Sequence, residues 1–323
     1  MKNRSALIVG ISGQDGILLA QHLLGLGYKV VGTSRRLDQG PTARLAAAGM
    51  LDRIQLVTLD PCSLASVADL VRATRPQEIY NLAGQSSVAS SFQYPCETVE
   101  SVTRGTLALL EAVRMWAPEA RLFNAGSSEC FGNTVAPANE QTPLAPRSPY
   151  GAAKAASMHL INVYRASYGL FACSGITFNH ESPLRPPQFV TSKVARFVAG
   201  VVQGDGGQLK VGNLSVRRDW GWAPEYVEAF HLMLQASEPR DLVLATGQSS
   251  SLADFIAACF ASAGLQMRDR IEVDSSLFRP SEIQVSAGDP TAARETIGWR
   301  AKSMMRDVAS YLVRTYSADR QRK

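Results

Sequence analysis

Two residues at the start of a predicted helix have the types and spacing needed to move a proton. Tyr150 and Lys154 are four residues apart in Ser-Pro-Tyr-Gly-Ala-Ala-Lys, so both side chains lie on one helix face. A tyrosine with its ordinary pKa of about 10 is a poor base at neutral pH. A neighbouring ammonium group favours the phenolate. Because Tyr-x-x-x-Lys often arises by chance, its function depends on the segments around it.

A serine-rich turn upstream supplies two further candidates. Gly126-Ser127-Ser128-Glu129-Cys130-Phe131-Gly132 follows a strand predicted at 121–125. Ser127 is suited to hydrogen-bond a substrate hydroxyl while it is oxidised, together with Tyr150. The Glu129 carboxylate is a base able to remove a proton next to a new carbonyl. The alternative for Glu129, a solvent-facing loop acid, stays open at this point.

The N-terminus predicts the element that positions a cofactor near these residues. An apolar strand at Ser5–Val9 runs into Gly10-Ile11-Ser12-Gly13-Gln14-Asp15-Gly16, and a helix is predicted over Ile17–Leu26. Strand, glycine turn and helix form the first unit of a dinucleotide-binding fold, with the helix N-terminus facing the pyrophosphate. The Gly-x-x-Gly-x-x-Gly spacing resembles the extended branch of the short-chain dehydrogenase superfamily. An ordinary glycine turn is the alternative.

The residues after the second predicted strand favour NADP. NAD sites usually place an acidic residue there, but this chain has Thr33-Ser34-Arg35-Arg36. Two guanidinium groups suit a 2′-phosphate, although arginines on a surface loop are the alternative. Asp60 closes the third predicted strand, where it would contact the adenine or simply cap a turn.

Alternation of strands and helices predicts the fold class. Strands are predicted at 29–33, 54–59, 78–82, 121–125 and 171–178, and helices at 42–48, 64–74, 99–115 and 148–168. Later segments predict a strand at 209–218 and helices at 224–234, 252–263 and 302–316. We therefore expect an α/β protein with a Rossmann-type doubly wound parallel sheet and a smaller α/β C-terminal substrate lobe. Residues 1–180, with some later segments, form the NADP-binding domain, and residues 181–323 mainly form the substrate lobe.

Composition excludes several other classes of protein. The 323 residues are 46% hydrophobic, and no apolar run approaches the roughly 18 residues of a membrane span. We expect a cytoplasmic protein with no membrane partner, since the N-terminus shows no signal-peptide core. The five cysteines lack paired spacing, so neither disulfides nor a metal site is expected. A net charge of +5 without an extended basic track argues against nucleic acid as a partner.

Further blocks along the chain make a specific resemblance visible. Besides the glycine turn, Ser127-Ser128-Glu129 and the segment 146–154, they are Tyr80-Asn81-Leu82-Ala83-Gly84-Gln85-Ser86, Phe178-Asn179-His180-Glu181-Ser182-Pro183, Phe189-Val190-Thr191, Gly212-Asn213-Leu214, Arg218-Asp219-Trp220-Gly221, Ala245-Thr246-Gly247, Phe278-Arg279-Pro280-Ser281-Glu282, Gly288-Asp289-Pro290 and Gly298-Trp299. With these blocks the sequence resembles the GDP-mannose 4,6-dehydratase family over nearly its whole length. The Asn-His-Glu-Ser-Pro and Arg-Asp-Trp-Gly blocks are the most selective.

The resemblance implies roles for individual residues. Ser127, where the family usually has threonine, Glu129, Tyr150 and Lys154 match the catalytic set. The implied cofactor site comprises Gly10, Ser12, Gly13, Gln14, Asp15, Gly16, Arg35, Arg36, Asp60, Leu82, Ala83, Tyr150, Lys154, His180 and Arg185. The implied GDP-sugar site comprises Ser86, Glu129, Asn179, Val190, Lys193, Arg218, Arg279 and Glu282. For His180, a purely structural hydrogen-bonded role is the alternative.

The resulting interpretation is an NADP-dependent lyase that dehydrates GDP-D-mannose to GDP-4-keto-6-deoxy-D-mannose. A related dehydratase acting on another hexose or a heptose, a 4-keto reductase, an epimerase, and a non-catalytic GDP-sugar or NADP-binding homologue are the alternatives. The family implies a homodimer or homotetramer. In this chain, however, the loop after Arg36, which in the family helps subunits share the cofactor site, reads Leu37-Asp38-Gln39-Gly40-Pro41-Thr42. Pro186-Pro187, Trp222 and Pro224 also depart from the family and would reshape the sugar pocket.

Overall fold

A seven-stranded parallel sheet forms the centre of the computed structural model, which describes residues 4–37, 39–134, 136–267 and 270–321. The strand order is β10-β6-β5-β4-β1-β2-β3, with every neighbouring pair parallel. In chain order the strands are β1 (Ser5–Val9), β2 (Lys29–Ser34), β3 (Gln55–Thr58), β4 (Glu78–Asn81), β5 (Arg121–Ala125), β6 (Ala172–Thr177), β7 (Asn179–Glu181), β8 (Leu209–Val211), β9 (Arg217–Trp222), β10 (Leu242–Leu244), β11 (Ser249–Ser251) and β12 (Ile271–Val273). The predicted α/β class and Rossmann-type sheet are confirmed.

Helices cover both faces of this sheet. They are α1 (Gln14–Gly25), α2 (Gln39–Ala47), α3 (Leu64–Thr74), α4 (Val88–Gln93), α5 (Pro95–Val99), α6 (Gly105–Trp116), α7 (Pro149–Tyr168), α8 (Val190–Val202), α9 (Ala223–Gln235), α10 (Leu252–Ser262), α11 (Thr291–Ile297) and α12 (Met305–Gln321). Successive side chains of β1 point to opposite faces of the sheet, so the strand contributes to a hydrophobic core on each face. Ile8 packs with residues of α1 and α9, and Leu7 packs with residues of α3 and α6.

The helix that carries Tyr150 and Lys154 has strong local signals at both ends. The Ser148 hydroxyl accepts a hydrogen bond from the Gly151 amide at 3.0 Å, and Pro149 occupies the first turn of α7. At the other end, Gly169 adopts φ 66°, the left-handed conformation that ends helices. These local signals explain why the sequence predicted this helix to within one residue at its start.

The second half of the chain builds a separate core and also returns to the sheet. Residues of α8, α10 and α12 pack together around Trp220, next to the three-stranded sheet β11-β9-β7 and the pair β12-β8. In contrast, β10 pairs with β6 at the edge of the central sheet, and α9 residues such as Phe230 pack in the core with α1.

Several predicted elements differ from the structure. The strand predicted at 209–218 is two strands, β8 and β9, in different sheets. The helix predicted at 99–115 begins as a π-helical turn at Glu100–Arg104 and continues as α6. The elements not predicted from the sequence are α4, α5, α8, α11, β7, β10, β11 and β12. Within the described residues, no helix is both long and apolar enough to cross a bilayer.

Candidate active site

The strand order reverses between β1 and β4, and a cleft of about 920 Å³ opens there at the carboxyl edge of the sheet. In open α/β sheets, ligands bind at this switch point. Eight of the predicted cofactor residues line it: Gly10, Ser12, Gly13, Arg35, Arg36, Asp60, Leu82 and Ala83. Gly10 has φ +93°, and a Cβ atom there would lie 2.9 Å from the Ala83 backbone nitrogen. Glycine is therefore needed for the backbone at Gly10 to pass this close to the segment after β4.

The shape and charge of the cleft fit a dinucleotide. Gly13 caps the N-terminus of α1 and faces the cleft, where free helix amides attract an anion. Arg35 and Arg36 are exposed at the rim, and Arg35 makes a long ion pair of 3.8 Å with Glu97. Asp60 also accepts a hydrogen bond from the Cys62 amide at 3.0 Å, which is the turn-capping alternative foreseen for it.

Gln85 is a cleft residue that the sequence analysis did not select. Its Nε2 donates to the Ser87 carbonyl at 2.7 Å, but its buried Oε1 has no hydrogen-bond partner among the described residues. A buried amide oxygen without a partner costs free energy, so Gln85 is ready to accept a hydrogen bond from a bound molecule. The sequence could have indicated a role for Gln85, since it lies in the Asn-Leu-Ala-Gly-Gln-Ser block at the end of β4, one of the blocks that carry the family resemblance.

Gln14 and Asp15 bind protein partners from the other half of the chain. Gln14 donates to the His180 carbonyl at 3.1 Å and accepts from the Ser182 hydroxyl at 2.9 Å. The Asp15 carboxylate lies 3.0 Å from His180 Nε2, and His180 Nδ1 faces the Phe178 carbonyl at 2.7 Å. Because both ring nitrogens face acceptors, an imidazolium satisfies them best. These contacts join the glycine turn to β7.

The two pKa values of this pair shift in opposite directions. Burial by itself raises the pKa of Asp15, but the charge and hydrogen bond of His180 outweigh it and lower that pKa from 3.8 to about 2. For His180, burial by itself lowers the pKa, and the Asp15 carboxylate and the Phe178 carbonyl outweigh it, so the pKa is raised above 6.5. The structural alternative for His180 thus has a geometric basis.

Tyr150 and Lys154 come together with Ser127 as predicted. The Lys154 ammonium donates to the Ala125 carbonyl at 2.6 Å and lies 5.8 Å from the centre of the Tyr150 ring. Burial raises the pKa of Tyr150 to about 12 and is a larger effect than the Ser127 hydroxyl, which lies near the Tyr150 phenol and by itself lowers that pKa. Burial also lowers the pKa of Lys154 to about 8. Burial by itself therefore opposes the phenolate, and the expectation that Lys154 together with the nicotinamide charge favours it stays a prediction.

Glu129 lies against the same helix and faces Arg279 from the second half of the chain. A side chain at Gly151 would come within 2.6 Å of the Glu129 carbonyl, so glycine lets α7 approach the 128–130 turn. Burial raises the pKa of Glu129 although Arg279 and Arg218 oppose the shift. The structure therefore rejects the solvent-facing alternative for Glu129, whose side chain is 15% exposed.

Three predicted GDP-site residues form a chain of charges that ends at Glu129. Arg218 donates to Glu282 at 3.0 Å, Arg279 lies 3.7 Å from the same Glu282 oxygen, and Arg279 lies 3.8 Å from Glu129. Arg218 also donates to the carbonyls of Ile283 and Arg217 at 2.8 and 2.9 Å. Two guanidinium groups beside a carboxylate suit a diphosphate and a ribose.

The remaining predicted substrate residues lie apart from this charge chain in the described contacts. Lys193 on α8 donates to the Lys210 carbonyl at 2.7 Å, and Val190 begins the same helix. Asn179 is in β7 beside Trp220, and Ser86 follows the cleft residue Gln85. Arg185 packs 4.0 Å above the ring centre of Phe189 and pairs with Glu181 at 3.4 Å.

Comparison with known proteins gives a consistent result. The family model described as GDP-mannose 4,6 dehydratase matches residues 7–311. GDP-mannose 4,6 dehydratase 2 of Arabidopsis thaliana is 42% identical over 91% of this chain and 82% of that protein. GDP-mannose 4,6-dehydratase of Sinorhizobium fredii is 40% identical over 96% of this chain and 95% of its own length. UDP-glucose 4-epimerase of Thermus thermophilus, solved with NAD, superposes with a TM-score of 0.84 and 26% identity over 97% of this chain and 98% of that one.

Proposed function

The chain belongs to the GDP-mannose 4,6-dehydratase family, and we propose that it converts GDP-D-mannose to GDP-4-keto-6-deoxy-D-mannose as an NADP-dependent hydro-lyase. The observation that carries this proposal is the carboxylate of Glu129, held beside the Ser127, Tyr150 and Lys154 set at the carboxyl edge of the sheet. A 4-keto reductase or a 4-epimerase needs no base for C5, whereas a dehydratase does.

The choice of NADP rests on residues of this chain. The glycine turn and the open cleft accept a dinucleotide, and the structurally similar Thermus epimerase was solved with NAD. Arg35 and Arg36 at the cleft rim favour a 2′-phosphate over a free 2′-hydroxyl. Bound NADP supplies a nicotinamide carbon that accepts hydride from C4 of the sugar and later returns it to C6.

The protein groups then move the protons. Ser127 hydrogen-bonds the C4 oxygen. Tyr150, whose phenolate the Lys154 ammonium and the positive nicotinamide ring of bound NADP would favour against the effect of burial, takes the proton of the C4 hydroxyl. The new 4-ketone acidifies C5, and Glu129 removes the C5 proton and passes it to the hydroxyl that leaves C6 as water. Tyr150 finally returns its proton at C5, so the protein ends each cycle as it began.

The charge chain supports the GDP part of the substrate. Arg218 is held by two backbone carbonyls and is positioned to clamp the pyrophosphate, Glu282 suits the ribose hydroxyls, and Arg279 lies between Glu282 and Glu129. Asn179, Val190, Lys193 and Ser86 complete the proposed substrate contacts. Gln14, Asp15, His180 and Arg185 support the cofactor from the side of β7.

We also propose that the enzyme works as a homodimer. Pro95, Val99 and Leu107 line an apolar groove on α5 and α6, and Val99 and Leu107 are 45% and 39% exposed. The partner in this groove is a second copy of this chain. Sedimentation measures the oligomeric state, and Leu107→Glu should be a monomer where the wild type is a dimer. The tetramer and the cytoplasmic location remain predictions.

The proposal is tested by mixing the purified protein with GDP-mannose and an amount of NADP far below that of the substrate. We expect loss of one water from the sugar nucleotide by mass spectrometry, over many turnovers for each NADP. Glu129→Gln should slow water loss by at least about 100-fold, because its amide cannot take the C5 proton. The exposed Glu238→Gln is the matched control. Unchanged GDP-mannose in the wild type would contradict the proposed function.

A further inference from the structure

Arg279 and Arg218 share the same carboxylate neighbour but are held very differently. Arg218 is 7% exposed and donates to the Ile283 carbonyl, to the Arg217 carbonyl and to Glu282 at 2.8 to 3.0 Å. The Arg279 side chain is 33% exposed and lies at 3.7 and 3.8 Å from Glu282 and Glu129. These distances are too long for hydrogen bonds, so Arg279 interacts with both carboxylates only through charge.

The position of Arg279 in the chain also leaves it room to move. It follows the short 3-10 turn Ser275–Leu277 and precedes Ile283, in a segment without regular helix or strand. A guanidinium that is a third exposed and bridges two carboxylates at long range is easily redirected by a diphosphate, which accepts two parallel hydrogen bonds.

We propose that Arg279 screens the Glu129 carboxylate in the free enzyme and moves to the substrate diphosphate on binding, so that the nucleotide itself activates the base that acts on the sugar. This inference rests on the proposed GDP-sugar site and on Glu129 as the C5 base. It gives Arg279 a positioning role beyond binding, because its departure changes the proton affinity of a group that touches the reacting carbon.

The groups around Glu129 are consistent with this switch. Arg279 and Arg218 stabilise its anion, while Glu282 and burial oppose ionisation. Tyr150 on α7 and Cys130 on the same turn are also coupled to the Glu129 charge, and burial raises the pKa of each to about 12. Arg279 is therefore the nearby charge most able to change without unfolding the site.

A dehydratase benefits when Glu129 becomes a stronger base only after the nucleotide sugar has bound. A base works best when its pKa lies near the working pH. With Arg279 beside it, Glu129 is a weaker base, and with Arg279 on the diphosphate it holds a proton more firmly. An enzyme built this way removes the C5 proton only when the whole nucleotide sugar is seated.

The test measures protonation of Glu129 by infrared difference spectroscopy of the NADP-loaded enzyme over a pH series, with and without GDP. The protonated carboxyl band is assigned by its absence in Glu129→Gln. In the free enzyme, Arg279→Gln should raise the apparent pKa of Glu129 by about one unit, a tenfold change in proton affinity. In the GDP complex the same substitution should change the proton affinity of Glu129 by less than about threefold, because the guanidinium has already left.

Matched variants separate the switch from simpler roles. Arg279→Lys keeps the charge and should leave the free-state pKa near that of the wild type. Arg240→Gln removes a surface arginine paired with Glu238 and should change neither state. An equal effect of Arg279→Gln in the free and GDP-bound enzyme, or no effect in the free enzyme, would overturn the switch. Failure of the wild type to bind GDP in calorimetry would overturn the proposed function and the switch together.

Discussion

The cofactor side and the GDP side of the site hold their charged groups in different ways. On the cofactor side, Lys154 is buried and donates to the Ala125 carbonyl at 2.6 Å, and the Asp15 and His180 pair is joined at 3.0 Å. On the GDP side, Arg218 is fixed by backbone carbonyls, but Arg279 lies between two carboxylates without direct hydrogen bonds.

This difference follows from what each side has to do. Lys154 and the Asp15 and His180 pair are held by direct hydrogen bonds within the protein, and fixed donors and acceptors need no reorganisation during the reaction. The GDP side must release and rebind a charged ligand in each turnover. A loosely held arginine costs little to redirect, whereas a buried and fully bonded one is costly to disturb.

The largest expected effect compares the two arginines of the charge chain. Arg218→Met should lower the free energy of unfolding by about 3 kcal/mol, because it removes a buried donor from the Arg217 and Ile283 carbonyls and leaves the partly buried Glu282 with only a distant partner. Arg279→Met should cost less than about 1 kcal/mol, because its side chain is a third exposed and solvent screens it. Urea unfolding measures both, with the exposed Arg217→Met as the control. Equal losses for Arg218→Met and Arg279→Met would show that the two arginines are held alike.

The second prediction concerns the affinity for NADP and the two arginines at the rim of the cofactor cleft. Changing Arg35 and Arg36 together to glutamine should weaken NADP binding by about 100-fold, which is about 2.7 kcal/mol. NAD binding should change little, since it has no 2′-phosphate. Calorimetric titration of both cofactors measures the ratio, and Arg53→Gln is an exposed control outside the cleft. If NADP and NAD weaken together, the two arginines do not read the phosphate.

The smallest effect concerns the fixed pair of the cofactor side. The Asp15 pKa is lowered from 3.8 to about 2, so its contribution is present above about pH 4 and is lost as the pH falls. The His180 pKa is raised above 6.5, so its contribution is present below pH 6.5 and is lost as the pH rises through the raised value. Asp15→Asn should therefore lower stability by about 1 to 2 kcal/mol near pH 5, and by less near pH 9.

Urea unfolding of the wild type and Asp15→Asn at both pH values measures this difference, and the exposed Asp52→Asn serves as the control. A stability loss that grows as the pH rises would show that His180 is neutral in the folded protein. Asp15 and His180 would then not form an ion pair, and the cofactor side would not be more firmly held than the GDP side at this point.

The cofactor side was largely predictable because its signals are local. The glycine turn, the Ser148 and Pro149 start of α7 and the apolar parallel strands are each specified within about ten residues of sequence. Ser127, Tyr150 and Lys154 follow from their places on these elements. Even here the burial of Tyr150, which raises its pKa to about 12, was not predicted, because it depends on distant parts of the chain.

The substrate side was less predictable for physical reasons. Helix α8 is rich in valine, a β-branched residue that weakens helix propensity, and it is stabilised by packing with α10 and α12. Strands β7, β10 and β12 have three residues each, too few to show an alternating pattern. Glu129 and Arg279 lie 150 positions apart in the sequence, so no local sequence pattern predicts their contact.

The central claim is that oxidation at C4 and reduction at C6 occur within one bound sugar. The most direct measurement uses GDP-mannose carrying deuterium at C4, with NADP far below the substrate concentration. We predict that the deuterium is found at C6 of the product and that no external NADPH is consumed. Product that has lost the deuterium, or a sugar that keeps its C6 hydroxyl while external NADPH is oxidised, would contradict the account.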